Sequence, residues 1–489
     1  MDKNLWLVIG YAVFILYTVG IVMVGAFLEK KLGVDKTLCR KITHIISAVI
    51  WLICYCFFGF SIHWLILNGI SALLLGVSIF SGKMDAFARE DGQKSVGLFY
   101  FALSTLITAI ISFSIGEETY LYTGIAYFCL ALGDGFAPIV ARIFKKHNPK
   151  ILPTKSLLGT LSVFAFSFLS TFVFSQVFQM ELSILFMLSI TSLTCLAELY
   201  GFWGLDNIFI ELSVFGYLLM YHFGLVGVPL QVVIVASPLL AILALGSHAM
   251  TADAGACAFL LFAFVGFFGG DSYVPVIFIS ILFAISTAVS VVGKRIKRKG
   301  LGVPEHAHAS RRAKQIVAVG LFAVIALGVY RYTDISLFRY LFYLSLAEQF
   351  ADSMASDIGS LTKRKNVNIV TFKPCEKGIS GGVSLLGTIS AVAGSFLLLL
   401  VPLALEEVSL KIYLWVGALA FVGTVVDSLV GALFQSLYRC TECGASIEHS
   451  VHCGKPASLI KGLKIVDNTT VNYIAGFFTC VFGIVLLWV

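Results

Sequence analysis

Ser156-Leu157-Leu158-Gly159-Thr160-Leu161-Ser162-Val163 returns more than two hundred residues later as Ser384-Leu385-Leu386-Gly387-Thr388-Ile389-Ser390-Ala391. Each copy opens an apolar run just after a basic loop, which points to a duplicated membrane unit. Polar residues kept in both copies can then be compared within one chain.

The surrounding composition fixes the class. Of 489 residues, 59% are hydrophobic and only 12% charged, which excludes a water-soluble core and predicts an all-α, polytopic integral membrane protein. Apolar stretches of about twenty residues, the length that lets a helix satisfy its own backbone across roughly 30 Å of hydrocarbon, recur throughout. We count about sixteen, at 5–26, 43–59, 62–81, 97–114, 119–141, 156–177, 181–199, 208–222, 226–247, 254–268, 273–292, 313–330, 337–358, 382–402, 410–436 and 469–489. The first begins Met1-Asp2-Lys3-Asn4, without a basic n-region or a small-residue cleavage site, and reads as a retained helix.

Lys and Arg concentrate in loops 28–41, 142–155, 293–314, 361–377 and 439–464. An even number of spans separates each from the next, so all five fall on one side, which the positive-inside rule makes the cytoplasm. The loops account for the net charge of +7 without nucleic acid as a partner. The acidic Glu117-Glu118 connection falls on the other side, with both termini. Most of the eleven cysteines lie within spans as small apolar residues, so no disulfide scaffold is expected.

The repeat extends beyond its opening motif. Arg89 precedes Val96-Gly97-Leu98-Phe99 by the interval at which Arg312 precedes Val319-Gly320-Leu321-Phe322. Asp134 in Gly133-Asp134-Gly135-Phe136-Ala137 corresponds to Asp352 in Ala351-Asp352-Ser353-Met354-Ala355. Glu198 and Asp427 follow the Ser-Leu-Leu-Gly-Thr element at nearly equal distances, and Asp206-Asn207 and Asp467-Asn468 open the last helix of each half. Eight helices per half would place the second copy in the orientation of the first, a parallel repeat with domains 1–225 and 226–489.

A carboxylate at the bilayer centre costs at least roughly 2.5–3.5 kcal/mol, so Asp134, Glu198, Asp352 and Asp427 need a partner or a task. Each lies toward the cytoplasmic end of its span, where Ser156 and Ser384 open the following helices. Acids beside a helix N-terminus, glycines and basic neighbours suit a Mg²⁺-nucleotide site: carboxylates hold the metal while backbone N–H groups and Lys or Arg take the phosphates. Asp134 and Asp352 are the metal candidates. Glycines at 133, 135, 159, 381, 382 and 387 would let backbone approach phosphate. No P-loop or protein-kinase signature occurs. Gly159 and Gly387 can equally be helix-packing glycines. Lys145, Lys146 and Lys363 to Lys365 read as topology determinants, and His44 as either a phosphate contact or an interfacial histidine.

The first half resembles the integral-membrane dolichol/phytol kinase family. The resemblance rests on Arg40-Lys41-x-x-His44, Gly133-Asp134-Gly135-Phe136-Ala137, Lys155-Ser156-Leu157-Leu158-Gly159-Thr160 and Glu198 through Asp206-Asn207. It implies CTP-dependent phosphorylation of a prenyl alcohol, with Arg40, Lys41, His44, Lys155, Ser156, Gly159, Thr160, Asp206 and Asn207 toward nucleotide and phosphate. Ala141 stands where that family usually has Gly.

The second half is similar to the phytyl-phosphate kinase family. Its matching motifs are Arg312-Ala313-Lys314-Gln315, Asp352 through Asp357-Ile358-Gly359, Gly382-Val383-Ser384-Leu385-Leu386-Gly387-Thr388, Asp427-Ser428-Leu429-Val430-Gly431-Ala432 with Gln435, and Asn468 to Asn472. The phosphate-binding set it implies is Arg312, Gln315, Asp357, Gly382, Ser384, Gly387, Thr388, Gln435, Asn468 and Asn472. Asp357 stands where Glu is more usual. Together the resemblances imply one route, prenol to monophosphate to diphosphate, with the catalytic acids Asp134, Glu198, Asp352 and Asp427 facing the cytoplasm.

In loop 439–464, Cys440-x-x-Cys443 precedes His449, His452 and Cys453. The pattern is compatible with tetrahedral zinc on Cys440, Cys443, Cys453 and either histidine. Adjacent ligands at His452-Cys453 are sterically awkward, and the alternative is a packed, thiol-bearing lid. Two other functions share these features: a transporter or flippase, which would hold its acids around a midplane cavity, and a CTP-dependent lipid cytidylyltransferase, whose product would carry CMP.

Overall fold

The computed structural model describes the chain apart from residues 1, 81–95, 202–203, 248–249, 301–310, 363–364, 376–378, 407 and 488–489. The Arg89 half of its sequence match, with Lys363 and Arg364, lies outside the described residues. Two compact units divide after His248.

The first unit contains α1 (Lys3–Lys30), α2 (Lys36–Phe58), α3 (Ile62–Phe80), α4 (Gly97–Ile115), α5 (Tyr120–Phe128), α6 (Gly135–Ile143), α7 (Leu157–Val177), α8 (Ile184–Tyr200), α9 (Asp206–His222) and α10 (Val228–Gly246). A π-helical turn, Cys129–Asp134, joins α5 to α6. At its middle lie Ile125, Ala126, Cys129, Leu130 and Ala131, all wholly buried. That segment is apolar on every side, as a helix enclosed by other helices must be. The neighbours α2, α7, α8 and α9 pack around it. Helix α10, which follows residue 225, packs against α8, with Leu230, Val233 and Ile234 buried.

The second unit contains α11 (Ala252–Phe268), α12 (Val274–Gly300), α13 (Ala313–Thr333), α14 (Ser336–Gly359), α15 (Leu385–Leu397), α16 (Leu400–Leu405), α17 (Leu410–Phe434) and α18 (Asn468–Leu487). Here α14 is central. Phe342, Leu344, Leu346, Ala347, Phe350 and Ala351 are wholly buried, and α12, α13, α15, α17 and α18 pack around it. In the second unit the helix carrying the central aspartate is the most enclosed, whereas in the first the Asp134 segment shares that place with α8.

Each of the sixteen expected spans coincides with helix, but eleven of the described helices are long and apolar enough to cross a membrane unaided. Three more, Ile62–Ser78, Ile184–Tyr200 and Ala252–Phe268, are apolar but short. The remaining two, α9 and α14, lose hydropathy to the very acids that matter: Asp206 and Glu211 in one, Glu348, Asp352 and Asp357 in the other. Outward-facing Leu16, Met23, Leu73, Leu74, Val177 and Leu239 give the helices the apolar exterior that lipid requires.

The all-helical expectation needs one correction, because short strands form in the basic loops. β1 (Lys150–Leu152) and β2 (Lys155–Ser156) make a hairpin leading into α7. β3 (Asn366–Asn368) pairs with both β4 (Pro374–Cys375) and β5 (Gly382–Val383), which leads into α15. Between α17 and α18 come β6 (Leu437–Arg439), β7 (Ser446–Ile447), β8 (Val451–His452), β9 (Lys455–Pro456) and β10 (Ser458–Lys461), in sheets ordered β10-β6-β7 and β8-β9. The loops are too polar for hydrocarbon, and pairing satisfies their backbone outside the helical bundle.

Candidate active sites

Asp134 ends the π turn, a widening of the helix that recurs at functional positions. A Cβ on Gly133 would lie 2.3 Å from Ser167 Oγ on α7, and one on Gly135 would lie 2.5 Å from Ile45 Cγ1 on α2. These glycines therefore let neighbouring helices close on the turn. Asp134 is 2% exposed.

Lys41 on α2 forms a direct ion pair with Asp134, and His44, three residues on and so on the same face, places Nδ1 3.9 Å from it. His44 stands edge-on to Phe101, with ring centroids 4.6 Å apart, and its buried Nε2 has no partner among the described residues. Arg40 flanks the pair near Gly97.

A second ion pair completes this region. Lys155 on β2 reaches Glu198 Oε1 on α8 at 2.5 Å and Asp206 on α9 at 3.9 Å. Burial works against the Lys155 ammonium, but the charges of Glu198, Asp206 and Asp134 more than offset it and hold its pKa above the usual lysine value. Asn207 donates to Gly97 O at 2.9 Å, which ties α9 to α4. Ser156 does not cap α7: its Oγ accepts from Asn148 Nδ2 at 2.9 Å, and Asn148 Oδ1 takes the Leu158 N–H at 2.9 Å. Gly159 brings α7 against Ala137 O of α6, while Thr160 is buried with its hydroxyl unpartnered.

The second region is built differently. Asp352 on α14 and Asp427 on α17 lie within electrostatic reach of each other and of Glu348, one turn before Asp352 on α14. Glu348 is wholly buried, accepts from Gln349 Nε2 at 2.8 Å, and is crossed by α17 at Gly423. Among the described residues no Lys or Arg forms an ion pair with Glu348, Asp352 or Asp427. Asp357, a turn further along, acts on Asp352 and is within reach of the Arg311 charge.

Among the described residues Asp427 Oδ2, Glu348 Oε1, both polar atoms of Gln435 and Asn472 Oδ1 have no partner, as is true of His44 Nε2, Glu198 Oε2 and Asn207 Oδ1 in the first region. Leaving such a group unsatisfied costs about 1–3 kcal/mol, so the unpaired oxygens of Glu348 and Asp427 leave positions that a ligand could satisfy. Like charges without a counter-charge favour a cation there. The residues therefore fit Mg²⁺ on carboxylates in the second region, whereas the acids of the first already have lysines beside them.

Ser384, unlike Ser156, caps its helix: Oγ accepts the Gly387 N–H at 3.1 Å and donates to Gly359 O at 3.4 Å. Gly387 packs on Gly359, and Thr388 is exposed at the helix start. Gly381, at φ +79°, lies against Ala432, where an added Cβ would come within 2.3 Å, so the loop before α15 is pressed on α17. Gly382 abuts Cys375 and Ile379 on the same ribbon. Arg312 and Gln315 form the start of α13, with the Arg312 N–H donating to Gln315 Oε1 at 2.9 Å. Lys314 pairs with Asp467, which precedes Asn468 and caps α18 through the Thr470 N–H at 2.9 Å.

Three residues escaped the sequence reading. Glu348 was legible, because its spacing of four puts it on the face of Asp352. Arg311 adjoins the Arg312 motif but not its pattern. Glu211 is wholly buried and accepts from Ser104, Thr105 and Thr108 of α4, at 2.5, 3.1 and 3.2 Å, a fully paired interhelical anchor. Cys440, Cys443, His452 and Cys453 come together with their ligand atoms within 4.8 Å of one another.

Residues 235–480 match the family described as integral membrane protein DUF92. An uncharacterized membrane protein of Methanocaldococcus jannaschii is 33% identical over 157 residues, 31% of this chain and 62% of that protein. Chloroplastic phytol kinase 1 of Arabidopsis thaliana is 27% identical over 152 residues, 29% of this chain and 49% of the enzyme. Chloroplastic farnesol kinase of the same plant is 26% identical over 156 residues, again 29% and 49%. The chain thus spans about half the length of the two kinases. No solved structure matches.

Proposed function

The chain belongs to the DUF92 family of integral membrane proteins and is distantly related to prenol kinases, and from that footing we propose a bifunctional lipid kinase. Its first region converts a prenyl alcohol to the monophosphate, and its second converts the monophosphate to the diphosphate. CTP is the favoured donor, Mg²⁺ the metal, and both sites face the cytoplasm from a scaffold of sixteen spans in two parallel halves. The observation that carries this reading is the pair of acid clusters, the buried Asp134 with Glu198 and the half-buried Asp352 and Asp427 with the buried Glu348, in a relative of phytol and farnesol kinases.

The two electrostatic designs suit the two acceptors. In the first, the prenol oxygen forms a bond to the γ-phosphorus, the bond from that phosphorus to the β–γ bridging oxygen breaks, and the nucleoside diphosphate leaves. The neutral alcohol must shed a proton, and Asp134 is the buried base beside it, while Lys41, Lys155 and Arg40 are the cations for phosphate. In the second, donor and acceptor are both anions. A carboxylate cluster alone would repel them, so Glu348, Asp352 and Asp427 would hold Mg²⁺, which when bound neutralises phosphate charge. Gln435, Asn472 and the Ser384 end of α15 would take phosphate oxygens.

Purified protein incubated with phytol, geranylgeraniol or farnesol and labelled CTP or ATP tests the reading through product mass. Asp134→Asn should abolish the monophosphate, whereas Asp352→Asn should let it accumulate without diphosphate. Identical defects in both variants would mean one composite site, a CMP-bearing product would mean cytidylyl transfer, and no product from any donor would end the kinase reading.

A further inference from the structure

The loop between α17 and α18 folds as two tight turns facing each other. In the first, running from Cys440 to Gly444, the Gly444 N–H donates to Cys440 O at 3.1 Å and the Cys440 N–H to Ala445 O at 2.9 Å. Gly444, at φ +71°, supplies the left-handed residue that lets Cys440 and Cys443 point the same way. The second turn joins β8 to β9. There Cys453 itself has φ +49°, ahead of Gly454 at +74°.

A cysteine in the left-handed region is uncommon and costs roughly 1–2 kcal/mol. What that conformation achieves is visible in the side chains. Neighbouring residues on a strand point to opposite faces, yet Cys453 Sγ lies 3.2 Å from Nδ1 of His452, and Cys443 Sγ lies 3.4 Å from the same nitrogen. The steric objection to adjacent ligands is thus removed by the backbone twist. With Cys440 Sγ, four donor atoms from two turns converge within 4.8 Å. Bonds of about 2.3 Å to sulfur and 2.0–2.1 Å to nitrogen put tetrahedral ligands about 3.6–3.8 Å apart, so closure onto an ion needs only small side-chain shifts.

We propose that Cys440, Cys443, His452 and Cys453 bind one Zn²⁺ in a closed, tetrahedral S₃N site. Three soft thiolates and one imidazole in tetrahedral array select zinc over Mg²⁺ or Ca²⁺. With no open position, the ion is structural. It cross-links the turn after β6 to the β8–β9 hairpin, and between them Glu448 accepts the Ser380 N–H at 2.7 Å. Ser380 immediately precedes Gly381 and Gly382, so the zinc module steadies the loop that leads into α15. That consequence rests on the kinase reading of the second region, whereas metal binding does not.

The test uses the full-length protein in detergent, loaded with Zn²⁺, desalted and assayed by elemental analysis. Wild type and His449→Ala should retain one zinc per chain, while Cys440→Ser and Cys443→Ser should each lose at least roughly tenfold in affinity. Replacing zinc with Co²⁺ in the wild type should give thiolate-to-cobalt charge transfer and the intense visible bands of a tetrahedral ion, a readout that does not depend on whether a cysteine variant folds. Wild-type protein without stoichiometric zinc, or Co²⁺ bound without the sulfur signature, would overturn the site. Zinc present with normal phosphorylation after its removal would leave the metal site standing and sever its link to α15.

Discussion

Two regions of this molecule gather acids among packed helices and balance them in different ways. Around Asp134 and Glu198, Lys41 and Lys155 form buried ion pairs. Around Asp352 and Asp427 the described groups that act on them are further carboxylates, Asp357 and Glu348, and no Lys or Arg among the described residues forms an ion pair with either. A region neutral by itself is prepared for a neutral acceptor, and one that carries excess negative charge is prepared for a cation.

The comparison breaks most completely if the two acids prove interchangeable in catalysis. Asp134→Asn is expected to lower monophosphate formation by about 10²–10³-fold, and Asp352→Asn to lower conversion of supplied monophosphate by a similar factor, each leaving the other step intact. Separate assays of the two steps, with prenol and with prenyl phosphate, check this. A variant that stops both steps would erase the division of labour between the regions.

Stability offers a sharper contrast because the sign should reverse. Lys41→Met leaves Asp134 buried without its counter-charge, a change that costs about 3–5 kcal/mol, and thermal unfolding in detergent should show a marked loss. Asp352→Asn removes a charge from among charges of the same sign, so the metal-free protein should gain a few degrees, on the order of 1 kcal/mol. A loss in both variants would mean that Asp352 has a counter-charge after all.

Added Mg²⁺ should separate the regions again. At about a hundredfold excess over the dissociation constant, a ligand that binds only the native state stabilises it by about 2.7 kcal/mol. Wild type should show that gain in melting temperature with Mg²⁺ alone, Asp134→Asn should keep it, and Asp352→Asn should lose most of it. Equal gains in all three would place the ion elsewhere.

How much of this was legible beforehand varies by kind of signal. Helix positions were, because apolar runs of about twenty residues have few alternatives in a bilayer. The partners were not. Lys41 and Asp134 are 93 positions apart, Lys155 and Glu198 are 43 apart, and only folding shows that the lysines cancel these acids. The tight packing at Gly133 and Gly135, where Ser167 of α7 and Ile45 of α2 leave no room for a Cβ, was not legible either, because the helices that press on these glycines are distant in sequence. The Ser156 cap likewise passed to Asn148, which no local motif marks. The ribbons before α7 and α15 escaped notice because strands of two or three residues carry no periodicity.

The smallest expected effect tests where the regions agree. Asp35 caps α2 through the Leu38 N–H at 3.0 Å and pairs with Arg142 in the last turn of α6, while Asp467 caps α18 and pairs with Lys314 of α13. The Arg142 hydrogen bond holds the Asp35 carboxyl below the usual aspartate range. Burial pushes Asp467 up, but Lys314 and the Thr470 N–H more than offset it and leave its pKa lowered as well. A depressed folded pKa means that each contribution is fully present above the unfolded value, about 3.9, and fades as pH falls through the folded one. Both pairs are substantially exposed, with Arg142 at 47% and Lys314 at 53%, so each contributes at most about 1 kcal/mol. Double-mutant cycles on Asp35 with Arg142 and on Asp467 with Lys314 should therefore return small, similar coupling energies at pH 7 that vanish together on acidification. A coupling several times larger in one region would show that the surface ties, and not only the buried acids, had diverged after duplication.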